Sequence, residues 1–488
     1  MIAQNSTSCD GAAIEQLQGA VRTLLQGVGE DVEREGLMET PKRVAKALLY
    51  MTSGYHDDPE GILCKAIFNE EGVAAESNGI VVVRDIDFAS TCEETLLPFH
   101  GRVHIGYIPS HGRVLGLSKM SRLTSIFARR LQTQARMSTE ILDTLMTYLK
   151  PQGAAIVVEA RHLAHPESSG LIVTSDAVGS FRGPESSAWL EFVALLQIPG
   201  LKVRTAAGSH GKASSWAFTA TDRAASGQKK DRDPNITTKD MQDAVNMMLA
   251  AIGEDPLRKG LCDTASNYVE WLLRTTEGFA ECGLKKGASS LFLPGLANEV
   301  MRIDLGAEGS QGNGAHGLPQ AASSRSTPSS CILMRIPFAS QCEHHLLPFY
   351  GTATVVLLPS DASGLPEMQD VLPLVRRFSR RLQVQERLTI QIADAVEAAV
   401  KEPVDTEGAV PLAGLLVVCD AKHMCMVARG VEKAASSTLT YAARGCLERD
   451  AALRVRILAA AASSCQAQHG NRCCCCCASS SSCNSITL

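Results

Sequence analysis

The feature that most constrains this chain is a pattern written twice. From Val83 to Ser110 it reads VRDIDFASTCEETLLPFHGRVHIGYIPS, and from Leu333 to Ser360 it reads LMRIPFASQCEHHLLPFYGTATVVLLPS. Cys92 and Cys342, Pro98 and Pro348, and Gly101 and Gly351 share one offset of 250. Further on, RRLQTQAR (Arg129 to Arg136) matches RRLQVQER (Arg380 to Arg387) at an offset of 251. Earlier, GEDVEREGLMETP from Gly29 faces GEDPLRKGLCDTA from Gly253. Self-similarity on this scale means two related units. A length of 488 residues also exceeds one ordinary domain. The division expected is copy one over 1–204, a linker over 205–234, copy two over 235–455 and a Ser/Cys-rich tail over 456–488.

Each copy reads alike. An amphipathic helix opens it, with Ile14, Leu17, Val21, Leu24 and Val28 on one stripe, and Met241, Val245, Met248 and Ile252 on the other copy's stripe. A second helix is predicted from Thr40-Pro41, with Thr40 as N-cap and Pro41 in the first helical position. Segments rich in β-branched residues, 79–88 and 102–108, predict strands. A single long helix is expected over about 118–150, or 373–401 in copy two, then an apolar strand (155–160, 415–420) and a further helix. This order predicts an α+β fold with antiparallel strands. The stretch 205–234 is small, polar and unpatterned, as a linker is. A Gly/Ser-rich insertion near 306–330 and the tail after about 460 are expected to lack order.

Composition narrows the function classes. A net charge of −5 argues against a partner bound by bulk positive charge, so no nucleic acid is expected. An anionic substrate then needs a local basic pocket. No apolar run reaches the roughly 20 residues that span a bilayer, so no membrane partner is expected. The start, MIAQNSTSCDGAAIEQ, resembles neither a signal nor a transit peptide, which makes a cytoplasmic location the expectation. Among the 17 cysteines, Cys465, Cys473 to Cys477 and Cys483 crowd into the tail. The rest follow no disulfide framework, as in a reducing compartment.

Three cysteine and histidine positions stand out in copy two. Cys342-Glu-His-His345 carries a C-x-x-H pair, and His423-Met-Cys425 follows. Three soft or borderline ligands suit Zn²⁺ and leave one position open for water, as at catalytic sites. His344 and His423 stand beside them, with ordinary pKa values near roughly 6.5 that suit proton transfer. A C-x-x-H alone is equally an ordinary core cysteine and a surface histidine. The wider series is not: CEHHLLPFYG, then RRLQVQERLT, then AKHMCMVARG resembles the signature of the GTP cyclohydrolase I family.

That resemblance covers most of both copies and implies a tunnelling fold (T-fold), here in tandem, that assembles into a ring-like homo-oligomer. It implies conversion of GTP to 7,8-dihydroneopterin triphosphate and formate, an early step toward tetrahydrofolate, with water activated at the metal attacking C8 of the guanine. Carried across, Cys342, His345 and Cys425 match the zinc ligands, and His344 and His423 the catalytic histidines. Gln385 and Glu386 match positions that hold the base, and Arg429 an arginine of the pocket. The triphosphate is expected on copy one, at Ser118, Lys119 and Arg122 in GLSKMSR and at Arg43 and Lys46 in PKRVAK. Lys119 and Arg122 fall on one face of a helix start, where free N–H groups favour anions. An isolated S-K-x-x-R is otherwise an ordinary solvated basic helix start.

Each copy departs from the family in a different way. Copy two has Gln369, Asp370 and Pro373 where copy one has Ser118, Lys119 and Arg122, and Asn267 and Glu270 where copy one has Arg43 and Lys46. Copy one reads Cys92-Glu93-Glu94-Thr95, with Ala164 two residues after His162 and Ala135 in place of the base-binding Glu. The complementary losses imply one composite site, its phosphate grip from copy one and its metal and base pocket from copy two. This layout resembles the plant and algal branch of the family. A non-catalytic regulatory nucleotide-binding homologue, or another enzyme of the same fold, is the competing reading.

Overall fold

The stripe Leu17, Val21 and Leu24 is fully buried in α1 (Ser6–Gly27), which turns through Gly29 into α2 (Thr40–Met51). The computed structural model describes residues 6–69, 79–163, 171–183, 186–197, 235–279, 298–304, 330–360, 367–401, 412–429 and 436–468. The expected linker, most of the 306–330 insertion, Ala164 and the last twenty residues lie outside these. Thr40 is not the cap expected of it. The N-cap is Glu39, and the Thr40 hydroxyl donates instead to the carbonyl of Glu343, in copy two, at 2.8 Å.

The first sheet runs β5-β2-β3-β6-β7, from β2 (Val81–Cys92), β3 (Pro98–Ile108), β5 (Leu131–Gln132), β6 (Gly153–His162) and β7 (Leu171–Gly179). All its pairings are antiparallel except β5 on β2. A two-stranded ribbon, β1 (Ile67–Asn69) on β4 (Arg113–Leu115), stands beside it. Helices α3 (Pro59–Cys64), α4 (Ser118–Ala128), α5 (Gln134–Tyr148) and α6 (Ser187–Leu196) complete this half.

The second half repeats the plan. After α7 (Thr238–Ala251) and α8 (Thr264–Thr275), the sheet runs β11-β9-β10-β12-β13 with β8 (Glu299–Asp304) added on β9. Its strands are β9 (Ser330–Cys342), β10 (Pro348–Pro359), β11 (Leu382–Gln383), β12 (Leu412–His423) and β13 (Thr438–Gly445). Its helices are α9 (Met368–Ser379), α10 (Gln385–Lys401), α11 (Met424–Val427), α12 (Cys446–Arg449) and α13 (Ala451–Gln468). Helix α13 therefore continues past the point where order was expected to end. The fold is α+β with antiparallel sheets, as the element order predicts.

Two features go beyond the sequence reading. The long helix expected over 118–150 is broken: Arg129–Thr133 leave the helix, and Leu131 and Gln132 pair in parallel with Thr91 and Cys92. In copy two, Leu382 and Gln383 pair with Gln341 and Cys342, which sets the start of α10 beside Cys342. The second feature, which the sequence reading did not address, is a core shared by the two copies. One apolar cluster joins Leu17, Val21 and Leu24 to Met241, Val245, Met248 and Trp271, and also takes in Leu96, Leu97, Leu346 and Leu347. Burial of each such side chain contributes about 1.5–3 kcal/mol. His100 Nε2 and the Tyr350 hydroxyl, equivalent positions of the two copies, meet at 3.0 Å. Equivalent residues meeting each other define a pseudo-twofold contact.

Candidate metal centre

Strand β10 brings the site together, because it pairs with β9 on one side and β12 on the other. Its Phe349 lies opposite Ser340 and His423 at once, so the ends carrying Cys342 and His423 converge. Phe349 stacks on the His423 ring at 4.6 Å. From Cys342 the chain turns tightly: Leu346 N–H donates to Cys342 O at 2.9 Å, and Cys342 N–H to Leu347 O at 3.0 Å. Leu346 adopts the left-handed region at φ 48°, a conformation of the kind held strained at functional turns.

The donor atoms of Cys342, His423 and Cys425 lie within 4.8 Å of one another. The Cys425 thiol donates to the Cys342 sulfur, and His344, His345 and His423 also reach it. These donors hold the Cys342 thiol far below the usual range, against burial. Cys425 is pushed up by the charge beside it and by burial. His344 is raised by its hydrogen bond to Cys342, with burial and the Arg43 charge opposing. His345 Nδ1 is buried with no hydrogen-bond partner among the described residues, while Nε2 lies against Arg429 Nη2. Two adjacent sulfurs, one drawn toward ionisation with the other's thiol donating to it, and imidazoles beside them are the donor set of a transition-metal ion. The close group thus holds His423 where His345 was expected: His345 reaches Cys342 but is not among the three donors that lie together.

Gln385 departs from its expected role. Its amide N–H groups are spent on the carbonyls of Cys419 (2.9 Å) and Thr438 (2.8 Å), and its Oε1 meets His423 Nε2 at 2.7 Å. It therefore orients the His423 ring and has no free amide to offer a base. Copy one repeats the arrangement, with no metal-ligand group among its described residues: His162 Nε2 meets Gln134 Oε1 at 2.7 Å, and Phe99 stacks on His162 at 4.5 Å. Glu386 stands exposed in the first turn of α10. Cys92, at the position of Cys342, is an ordinary buried thiol pushed up to about 11.

The phosphate positions differ just as sharply. Arg43, Lys46, Lys119 and Arg122 make no side-chain hydrogen bond or ion pair with any described residue. Their charges are available to an anion. In copy two, Asn267 donates to Glu94 O at 3.0 Å, and Glu270 pairs with Arg274 at 3.3 Å. Gln369 donates to Glu367 at 3.0 Å, and Asp370 accepts from Glu367 N–H at 2.9 Å in a capping box. The start of α9 is thus plugged by its own carboxylates, whereas α4 begins at Leu117 with no side-chain cap. Gly116 N–H donates to Ala66 O at 3.0 Å, anchoring the approach to Ser118. The structure brings Arg43 toward His344. Among the described residues, no hydrogen bond or ion pair links Ser118, Lys119 or Arg122 to the cluster.

Reading the sequence missed Glu343. Its side chain is 4% exposed, and its carboxylate accepts from Arg387 at 2.7 Å and from Arg34 of copy one at 2.9 Å. The signal was present: Glu93, Arg136 and Arg258 occupy the same positions in the other copy and make the same contacts, at 2.6 and 2.8 Å.

An antiparallel α+β chain with cysteine and histidine donors gathered at converging strand ends has the make-up of an enzyme with a candidate metal site. More narrowly, the chain belongs to the GTP cyclohydrolase I family, whose model matches residues 17–194 and 308–462. It is similar to GTP cyclohydrolase 1 of Solanum lycopersicum, 35% identical over 462 residues and 91% of each chain. The Arabidopsis thaliana enzyme of that name is 36% identical over 91% of this chain and 89% of its own. GTP cyclohydrolase 1 of Chlorobium chlorochromatii is 43% identical, but over 39% of this chain and 85% of its own. No helix among the described residues is long and apolar enough to cross a membrane.

Proposed function

We propose that this chain is a zinc-dependent GTP cyclohydrolase that hydrolyses GTP to 7,8-dihydroneopterin triphosphate and formate. Its tandem T-fold copies form one composite site within a ring-like homo-oligomer. The observation that carries this is the opposite fate of equivalent positions. Copy two carries the Cys/His donor group and spends its phosphate positions on contacts within the protein; copy one has four cations free of such contacts among the described residues and a plain buried thiol.

Cys342, Cys425 and His345 would hold the ion, with His423 beside them. Zn²⁺, when bound, supplies a Lewis acid that activates water for attack on the guanine C8. His344 and His423 move protons at the attacking water and the opening ring, and Gln385 keeps the His423 ring in place. Glu386 accepts from the guanine N1–H and amino group, a paired charge-assisted contact. Arg43, Lys46, Lys119 and Arg122 take the triphosphate, the last two from a helix start. Arg429, against His345, fixes the ligand ring and borders the pocket.

Formate release from GTP, with and without chelator, tests the reading on the full chain. Wild type should release formate and stop on chelation; Cys425→Ala should lose one tightly bound zinc and turnover together. Nucleotide binding with no formate release by metal-loaded wild type would instead make this a regulatory homologue.

A further inference from the structure

We propose that Arg34, in copy one, is a positioning residue for the metal centre of copy two, acting through Glu343. The inference rests on the metal assignment above. Glu343 stands between Cys342 and His344, so its placement sets where both side chains point.

Every polar group of Glu343 is held. Its N–H donates to Gln383 O at 3.1 Å, and its carbonyl accepts from the Thr40 hydroxyl at 2.8 Å. Its carboxylate Oε2 accepts from Arg387 Nη2 at 2.7 Å and Arg34 Nη2 at 2.9 Å. Two of these four ties therefore come from copy one. They are themselves braced, since Arg34 Nε donates to Glu30 at 2.9 Å and Arg387 Nε to Gln383 at 2.8 Å. A Cβ on Gly36 would stand 2.7 Å from both Glu343 Oε1 and Arg34 Nη1, so the loop lies flush on the carboxylate. The turn they clamp contains left-handed Leu346, which relaxes if its neighbours release it. Without Arg34 the buried carboxylate is held from one side only, by Arg387, and is drawn toward that remaining guanidinium. Such a shift moves Cys342 and His344 with it. Outer contacts of this sort typically change metal affinity 10–100-fold.

The chain carries its own control. Arg258 Nη1 donates to Glu93 Oε2 at 2.8 Å, Arg136 to the same oxygen at 2.6 Å, and the Thr264 hydroxyl to Glu93 O at 2.6 Å. This is the same clamp, reaching from copy two onto the turn of copy one that carries Glu94 and Thr95 in place of the histidines. Arg34→Ala and Arg258→Ala thus remove matched contacts between copies, but only one lies over the metal cluster.

The test measures zinc affinity of the full chain by competition with a chromophoric chelator, taking the tight site as the one lost in Cys425→Ala. Arg34→Ala and Arg258→Ala should lower the melting temperature by similar amounts. Arg34→Ala should weaken the tight zinc site about 10–100-fold, and Arg258→Ala should leave it within about twofold. Arg34→Lys, which restores one charged donor, should recover most of the affinity. Should Arg34→Ala fail to fold, Thr40→Val against Thr264→Val asks the same question by removing one hydroxyl from each clamp. Equal zinc affinities in the matched variants, or no recovery in Arg34→Lys, would overturn the proposal while leaving the metal site standing. A wild type without a tight site lost in Cys425→Ala would overturn both.

Discussion

The two turns, Cys92–Pro98 and Cys342–Pro348, share one backbone and have opposite chemistry. Leu96 and Leu346 are both left-handed, at φ 54° and 48°, and both turns close with the same pair of backbone hydrogen bonds. Both glutamates sit in the same double-arginine clamp, and both imidazoles, His162 and His423, lean on a glutamine and a phenylalanine. What differs is confined to the reacting positions. The arginine clamps and the glutamine–histidine pairs, kept in both copies, build the framework, while Glu94 and Thr95 stand where His344 and His345 complete the donor set of copy two. Gln385 illustrates this: its twin Gln134 makes the same bonds in the copy whose described residues hold no metal-ligand group, so its amide serves architecture first.

The comparison breaks most visibly at the cysteines. Cys342→Ala should reduce tight zinc and formate release to background. Cys92→Ala should keep both, with a stability loss of about 1–2 kcal/mol for a small buried side chain. Loss of zinc from Cys92→Ala would show that copy one takes part in the metal site. The next effect in size lies at the phosphate positions. Lys119→Ala should raise the KM for GTP about 10–100-fold, the worth of a charge-assisted hydrogen bond at about 1.5–3 kcal/mol, with zinc unchanged. Asp370→Ala, at the equivalent position of copy two, should leave KM alone and loosen only the start of α9. Equal kinetic effects at the two positions would end the division of labour.

Much of this was legible in the residues. The repeat and the antiparallel α+β class follow from spacing and residue type, because hydrophobic alternation leaves local marks, and the grouping of Cys342 with Cys425 follows from the resemblance of the wider motif series. The break between α4 and α5 left none. Two residues, Leu131 and Gln132, leave the helix to pair with β2, and a 3.6-residue periodicity passes over so short an interruption. Edge strands β7 and β13 were also missed, since half-exposed Leu171–Gly179 and Thr438–Gly445 lack a continuous apolar run. The contacts between copies were invisible for another reason. Arg34 and Glu343 are 309 positions apart, and nothing local marks them as partners.

The smallest predicted effect concerns the pseudo-twofold pair itself. Burial lowers His100 to about 3, with Lys422, Arg161 and His162 adding to it, so the ring that meets Tyr350 is neutral. In the unfolded chain the same ring titrates near roughly 6.5. Between those values the unfolded chain binds a proton that the folded chain refuses. Stability at this site is therefore complete above about 6.5 and declines as pH falls, by up to about 1.4 kcal/mol per unit. His100→Phe removes that dependence, and it takes the His100 hydrogen bond from the Tyr350 hydroxyl at a cost of about 1–3 kcal/mol. The variant should be the less stable protein at about pH 7.5 and should close the gap at about pH 5. Urea midpoints at the two pH values decide it. Parallel losses in both proteins would mean that His100 is not the acid-sensitive contact between the copies. A closing gap would place part of the acid lability of the whole assembly at one histidine–tyrosine contact, where the repeated sequence has ceased to be symmetric.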